Sequence, residues 1–271
     1  MAGFLYKNRD KTVFINDNMN YTMKQILSVL MFILLTFSVN AQKHKETKVY
    51  GISLDTIASY VKKHPKYFEH LAKKIRQRNQ TMPSEELTLL YYGSAFMKNY
   101  NPKDEDKAVE KIAKQMAEFD YSGAIIEGKK LLKVYPVNAR LYMLLGYAYK
   151  KIGEKSTSKW YYKRYGDILR VPMYSGSGKD FDNAFVVRII SDEYLILNQK
   201  DLEMNEQAVR YHNRYPFDVL QVQKVSKNNK RAKNLSKQKI YFNVYLPFFV
   251  GEGKTFKMVL DEAKKKYKFK E

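Results

Sequence analysis

Apolar positions recur with helical spacing through most of the middle of the chain. Phe68, Leu71, Ala72 and Ile75 are three or four residues apart, with lysine and arginine on the opposite face. This spacing is typical of an amphipathic helix that buries one side. It predicts helices at 54–61, 65–78, 84–97, 104–119, 121–135, 139–152 and 156–169. Because the connections are short, we expect consecutive helices to be antiparallel neighbours.

Two of these helices carry the spacing of a tetratricopeptide repeat. Tyr142, Leu145, Gly146 and Tyr149 fit the signature W-x₂-L-G-x₂-Y, with Tyr in place of Trp. Further positions of the repeat pattern are matched by Ala124, Pro136, Ser158 and Tyr162, whereas Gly128 and Arg170 depart from it. We therefore expect about one and a half degenerate repeats over 105–170, inside a helical domain at 49–170. An ordinary bundle of helical hairpins is the alternative.

The pattern changes after residue 170. Ile240, Phe242, Val244 and Leu246 alternate with polar or tyrosine positions, as in a half-buried strand. The other predicted elements are a loop at 171–180, a helix at 184–197, a strand at 219–225 and a final helix at 255–267. The expected fold is therefore mainly α, with tetratricopeptide-like antiparallel helix pairs. A small C-terminal α+β portion over 171–271, with a two-stranded antiparallel element and the final helix, is expected to pack on them.

The beginning of the chain predicts export. Lys24 precedes an uncharged apolar run at 26–39, and small residues follow at Val39 and Ala41. This order is typical of a secretory signal peptide, which we place at 23–41 with cleavage between Ala41 and Gln42. The apolar run is shorter than the roughly 20 residues of a spanning helix, so no transmembrane helix is expected in the mature chain. The polar residues 1–22 do not fit a signal peptide, and we interpret them as an overcalled leader that precedes the true translation start at Met23.

Composition narrows the classes of partner. The chain has no cysteine, which excludes disulfides, thiol nucleophiles and a lipid anchor on a cysteine. Its formal net charge of +21 favours contact with an anionic envelope component or another polyanion. The basic stretch 224–239 contains no acidic residue and is predicted to be a solvated loop. Its candidate polyanion contacts are Lys227, Lys230, Arg231, Lys233 and Lys237.

The pattern of reactive side chains does not predict a catalytic or metal site. None of the four histidines belongs to a metal-binding pair, and no nucleophile turn of the G-x-S-x-G type is present. Gly178-Lys179 resembles a phosphate-binding loop, but Asp180 stands where that motif needs Ser or Thr. We therefore expect a non-enzymatic protein without a cofactor. A Ca²⁺ site at Asp180 and Asp182 lacks further ligands.

Two smaller hypotheses concern single residues. Arg188 or Glu193 could form a buried ion pair with the loop at 175–179. Asp55-Thr56-Ile57 has the form of a short acceptor sequence for O-glycosylation of exported bacterial proteins.

Four stretches together resemble an uncharacterised family of exported bacterial proteins, a domain of unknown function with a tetratricopeptide-like middle. They are Leu90-Tyr91-Tyr92-Gly93 with Tyr100-Asn101-Pro102; Tyr142 to Gly146; Ser175 to Gly178 continuing through Ala184-Phe185-Val186-Val187 to Asp192-Glu193-Tyr194; and Tyr241-Phe242-Asn243. The likeness covers about 60–250. The family has an Asp-Thr-Thr-like stretch near Asn79-Gln80-Thr81, where this chain lacks the acid. The resemblance implies no activity.

Two functional hypotheses follow from the sequence. The first is an exported protein, periplasmic or extracellular, whose stacked helices bind a peptide or another protein as an interaction module or scaffold. The second is a basic protein that binds polyanions at the envelope surface through 224–239 and the final helix, with strongly salt-dependent affinity.

Overall fold

A computed structural model of the protein describes residues 47–225 and 237–253. The predicted leader, the signal peptide with Ala41 and Gln42, and the final helix lie outside these ranges. Four of the candidate polyanion contacts also lie outside them: Lys227, Lys230, Arg231 and Lys233. Within the described ranges, the chain is mainly helical with a small sheet. No helix in this part of the chain has the length and apolar character to cross a membrane.

Several helices begin at a residue whose side chain caps them. Asn101, Asp120 and Asn138 each accept a hydrogen bond from a backbone N–H three residues later, at 2.8–3.1 Å. A short hairpin of β1 (Lys48–Val49) and β2 (Ile52–Ser53) precedes the first helix. The helices that follow are α1 (Leu54–Lys63), α2 (Pro65–Lys74), α3 (Ser84–Gly93), α4 (Pro102–Ala117), α5 (Tyr121–Val134), α6 (Ala139–Lys151) and α7 (Lys155–Met173). The seven helices predicted from apolar spacing are thereby confirmed, with changed ends.

Two of the changed ends are described here. Helix α3 ends at Gly93 and continues as the 3₁₀ turn Ser94–Phe96, because the chain bends there towards the start of α4. Helix α7 continues through Pro172, where a loop had been expected. Proline is tolerated there because Val171 and Pro172 are both buried, and their packing outweighs one lost backbone hydrogen bond.

The sheet is larger than the two-stranded element predicted from the sequence. Its order is β3 (Phe185–Val186), β6 (Gln238–Asn243), β5 (Tyr215–Lys224) and β4 (Leu202–His212). The predicted pair corresponds to β5 and β6, which are antiparallel, while β3 lies parallel to β6. The six residues Leu246–Gly251 form a π-helical turn after β6.

The helix predicted at 184–197 is wrong in its first half. Phe185 and Val186 form β3, and the helix α8 covers only Ser191–Gln199. The apolar run 184–187 is fully buried, and such a run has no periodicity that separates strand from helix. Gly178 in the preceding loop has a positive φ of 72°, and its carbonyl accepts from the Tyr241 N–H at 2.9 Å, which holds this loop against β6.

One hydrophobic core joins the helices to the sheet. Phe68 and Tyr142 from the helices and Phe185 and Phe242 from the strands are completely or almost completely buried in it. The rings of Phe185 and Phe242 lie 5.6 Å apart on paired strands. The sheet is thus an integral support for the helices.

Candidate functional site

A cleft of about 1000 Å³ opens beside the first helices. One wall is apolar and consists of Val61, Phe68 and Ala72 from α1 and α2. The opposite side is formed by the segment 94–100 and by the turn between α5 and α6 at 133–137. Gly93 shapes the wall, since a Cβ there would lie 2.2 Å from the Phe68 ring. The cleft is therefore a concave, largely apolar surface with room for several side chains.

A buried ion pair forms the floor of the cleft. Glu105 in the first turn of α4 and Arg188 after β3 are 1% and 2% exposed, and both line the cleft. The Arg188 Nη1 donates to Glu105 Oε2 at 2.8 Å, and Nη2 donates to Oε1. This two-pronged contact matches a planar guanidinium to a carboxylate. The pair raises the pKa of Arg188 above its ordinary value through the charge of Glu105, although burial acts in the opposite direction.

Neighbouring polar groups hold the pair in place. Asn138, the cap of α6, donates from Nδ2 to Glu105 Oε1 at 2.8 Å. The Tyr100 hydroxyl donates to the backbone carbonyl of Arg188, and the Tyr100 ring lies 5.7 Å from the guanidinium. A charge removed from water is tolerated only when it is paired and hydrogen-bonded, and these contacts supply both.

A second hydrogen-bonded group extends behind the floor. Tyr91 donates its hydroxyl to Asp192 Oδ2 at 2.5 Å and accepts from the backbone N–H of Arg188 at 3.1 Å. Tyr92 donates to the carbonyl of Val186 at 3.1 Å. Burial raises the pKa of Asp192 to about 7, against the opposing effects of Arg188 and Tyr91. This group fixes the backbone at 186–192 and thus the position of the Arg188 side chain.

The rim of the cleft is positively charged. Lys62, Lys98 and Lys133 line it and are exposed, and none of them forms an ion pair with another described residue. Glu69 is the acidic side chain among the exposed lining residues. Since Glu105 and Arg188 neutralise each other, the rim has an excess of positive charge. A ligand carrying carboxylates therefore gains electrostatic energy at this opening.

A separate acidic pair lies under the sheet, away from the cleft. Glu193 in α8 is completely buried, and neither of its carboxylate oxygens has a hydrogen-bond partner among the described residues. Asp218 in β5 accepts from Gln207 Nε2 at 2.7 Å through one oxygen only. Burial first, and then Asp218 and Asp192, raise the pKa of Glu193 well above its ordinary value. Burial therefore favours the protonated form of Glu193, which has a structural position inside the core.

The residues of the predicted repeat signature are largely buried. Ala124, Pro136, Tyr142, Leu145 and Gly146 are buried and Tyr149 is half-buried. The Tyr162 ring lies 3.1 Å from the Cβ position of Gly146, and Ser158 donates its hydroxyl to the Gly146 carbonyl at 2.7 Å. These contacts bring α6 and α7 close together. Pro136 also lines the cleft, which places the end of this unit beside the site.

Other sequence-based hypotheses have mixed outcomes. Arg188 does form a buried ion pair, but with Glu105 and not with the loop at 175–179, because that loop satisfies its polar groups on β3 and β6. Asp180 accepts from Asn183 in a local turn. Lys237 is exposed and lies immediately before β6. Within the described ranges, no group of His, Asp or Glu side chains could hold a metal ion.

The Glu105–Arg188 pair was missed by the reasoning from the sequence. Its members are 83 residues apart and neither belongs to a recognisable motif. A signal was present in the stretches that carry the family resemblance, since Tyr91, Tyr100 and Asp192 come from them and converge on Arg188.

The described part of the chain is thus mainly helical with a small sheet, and it contains a largely apolar cleft whose rim is positively charged. The family model described as domain of unknown function (DUF4919) matches residues 55–247, which is more than half of the chain. The chain therefore belongs to this family, and the predicted membership of an uncharacterised family is confirmed. No curated protein and no solved structure matches the chain.

Proposed function

We propose that this is an exported protein-binding module that holds a segment of a partner protein in the cleft. The segment would carry apolar side chains and carboxylates. One observation carries the proposal: three lysines that have no ion-pair partner among the described residues surround a cleft whose buried floor is already neutralised by Glu105 and Arg188.

The shape of the cleft favours a peptide segment over a small metabolite. A volume of about 1000 Å³ is at the upper end of the range for small-molecule pockets, and the cleft is open to solvent along its rim. The buried polar groups of the floor are occupied with one another, so they offer few directed hydrogen bonds to a small polar ligand. Apolar side chains can instead contact Phe96, Met97 and Val134, which line the cleft and are partly or well exposed.

The helix pairs support the same proposal. We propose that α4–α7 are tetratricopeptide-like, and two close contacts are consistent with this. A Cβ at Gly146 would lie 3.1 Å from the Tyr162 ring, and Ser158 donates its hydroxyl to the Gly146 carbonyl at 2.7 Å. Small residues at such positions permit the tight helix stacking that gives helical repeats their concave, peptide-binding surfaces.

Site-specific photo-crosslinking tests the proposal. A photoreactive amino acid replaces Val134, which lines the cleft and is 50% exposed. A matched probe replaces Ile126, which is on the same helix, is 57% exposed and does not line the cleft. After irradiation in envelope extract, mass spectrometry identifies the crosslinked segment. We expect products specific to Val134 whose sequence combines apolar and acidic residues.

Charge reversal provides the second arm of the experiment. Lys98→Glu and Lys133→Glu together should remove most of the product at Val134, since they invert the charge of the rim. Equal products at both probe positions, or products insensitive to the charge reversal, would contradict the proposal. The polyanion hypothesis predicts a different result: heparin would compete at both positions, and replacement of the basic residues at 227–237 would abolish binding.

A further inference from the structure

Strand β4 is an open edge of the sheet. It is the last strand in the order β3-β6-β5-β4, and it pairs with β5 on one side over its 11 residues. On its other side, no described residue makes a backbone hydrogen bond to 202–212. A long edge strand is a template for another strand, which monomeric proteins usually cover or interrupt.

The second half of the edge is regular. A bulge between Met204 and Glu206 disturbs the pairing with β5, but from Glu206 to His212 every residue has a partner. The hairpin closes through Asn213 and Arg214, which both have positive φ, as in a two-residue type I′ turn. The stretch 206–212 therefore has the twist and spacing that an added antiparallel strand requires.

The charge pattern of this stretch is complementary to itself. Glu206 and Arg210 lie on the same face of β4, two positions on either side of Ala208. Both are exposed and neither forms an ion pair with another described residue, although Arg210 Nη1 donates to the neighbouring Val209 carbonyl at 3.2 Å and has to release it to face a partner strand. An antiparallel pairing of two copies about Ala208 sets each Glu206 opposite an Arg210 and the two small alanines opposite each other.

We propose that β4 pairs with β4 of a second copy, with its twofold axis at Ala208, and joins two four-stranded sheets into one. Directly opposite charges in an antiparallel pair stabilise it, and symmetry supplies this pair twice. A shift of the twofold axis to Gln207 or Val209 places Arg210 opposite Met204 or Ala208 and loses the charge match. The exposed apolar side chains of Val209 and Tyr211 on the other face, each 39% exposed, become partly covered.

Charge reversal and mixing test this dimer. Sedimentation equilibrium across a concentration series should show a reversible dimer for the natural protein. Glu206→Arg sets two arginines opposite each other, and Arg210→Glu sets two glutamates opposite each other. For each variant alone, the dissociation constant of the dimer should rise at least about tenfold, because two attractive charge pairs are lost and two repulsive pairs are introduced. A 1:1 mixture of the two variants should recover the dimer, because every pair across the interface is again opposite in charge.

Controls make each outcome decisive. The double variant Glu206→Arg/Arg210→Glu should dimerise like the natural protein, and recovery in the mixture shows that both single variants are folded. Glu118→Arg, an exposed reversal outside β4, should leave the dimer unchanged. A natural protein that remains monomeric at high concentration, or single variants whose self-association is unaffected, would overturn the proposal. Failure of the mixture to recover would also overturn it and would point to a strand of a different protein as the occupant of the edge.

Discussion

Breaking the ion pair at the floor of the cleft should destabilise the protein severely. Arg188→Met keeps the length of the side chain but removes the cation, leaving the Glu105 carboxylate buried with Asn138 as its remaining side-chain partner. Loss of one member of a buried pair costs about 3–5 kcal/mol, because the other charge stays desolvated. Total stabilities of natural proteins are of the order of 5–15 kcal/mol, so this change removes a large share.

The chain contains its own matched control for this experiment. Arg140 and Glu110 form an arginine–glutamate pair at 2.8 Å, but their side chains are 29% and 51% exposed. Arg140→Met should therefore cost about 1 kcal/mol or less, since exposed pairs are solvated in both states. Urea unfolding followed by circular dichroism gives the free energy of unfolding of both variants. Since both pairs consist of arginine and glutamate, the difference between the two variants measures the effect of burial on stability.

A double variant completes the test. Glu105→Gln with Arg188→Met removes both charges, so we expect it to be clearly more stable than Arg188→Met alone. If Arg188→Met lowers the free energy of unfolding by no more than Arg140→Met does, the Glu105–Arg188 pair is not buried in solution. The floor of the cleft would then have to be open to water, and the neutralised apolar site that we describe would not exist.

Three further changes have expected outcomes. Phe119 has a φ of 62° at the end of α4 and is 77% exposed, so Phe119→Gly should raise the free energy of unfolding by about 1 kcal/mol, while Phe119→Ala should not. Gly128→Leu should lower the melting temperature by several degrees because it collides with Leu145, whereas Gly166→Leu, with open space around its Cβ position, should not. Asp192 and Glu193 both have raised pKa values in the folded protein. As pH rises, the two acids therefore lose their protons at lower pH in the unfolded chain than in the folded protein. The free energy of unfolding should then fall as pH rises from about 4 through about 7. Glu193→Gln should reduce that fall in urea unfolding curves measured at pH 4 and pH 8, and an unchanged slope would contradict the burial of this acid.

The helices were predictable because each has apolar positions at helical spacing, and several also have a local start signal. Asn101, Asp120 and Asn138 mark their helix starts in the sequence, and all three act as caps in the structure. Such signals depend on residues three or four positions apart. The bounds were less predictable, because burial of Val171 and Pro172 extends α7 beyond its local signal.

Strand β4 was missed for physical reasons that are visible in its side chains. Its residues are exposed along most of its length, so no alternation of apolar and polar positions marks it. Its turn has Arg214 at a position with positive φ, where Gly is the usual signal. Pairing with β5 forms the strand, and that pairing depends on the sheet being assembled.

The site was less predictable than the fold. Glu105 lies on α4 and Arg188 follows β3, and only the packing of the sheet against the helices brings them together. The lysines of the rim come from three different elements and were part of a general surplus of charge in the sequence. Their grouping around an apolar cleft is a property of the tertiary structure.

Binding of a partner segment in the cleft is tested most directly by titration. The segment crosslinked at Val134 is synthesised in two forms, one natural and one with every Asp and Glu replaced by Asn and Gln. Both are titrated by fluorescence anisotropy into the natural protein and into Lys62→Glu/Lys98→Glu/Lys133→Glu. We predict that the natural protein prefers the acidic form by about tenfold at low salt, roughly the effect of 1.4 kcal/mol, and that the triple variant loses this preference. Equal affinity of the natural protein for both forms, or an unchanged preference in the triple variant, would contradict the proposed function.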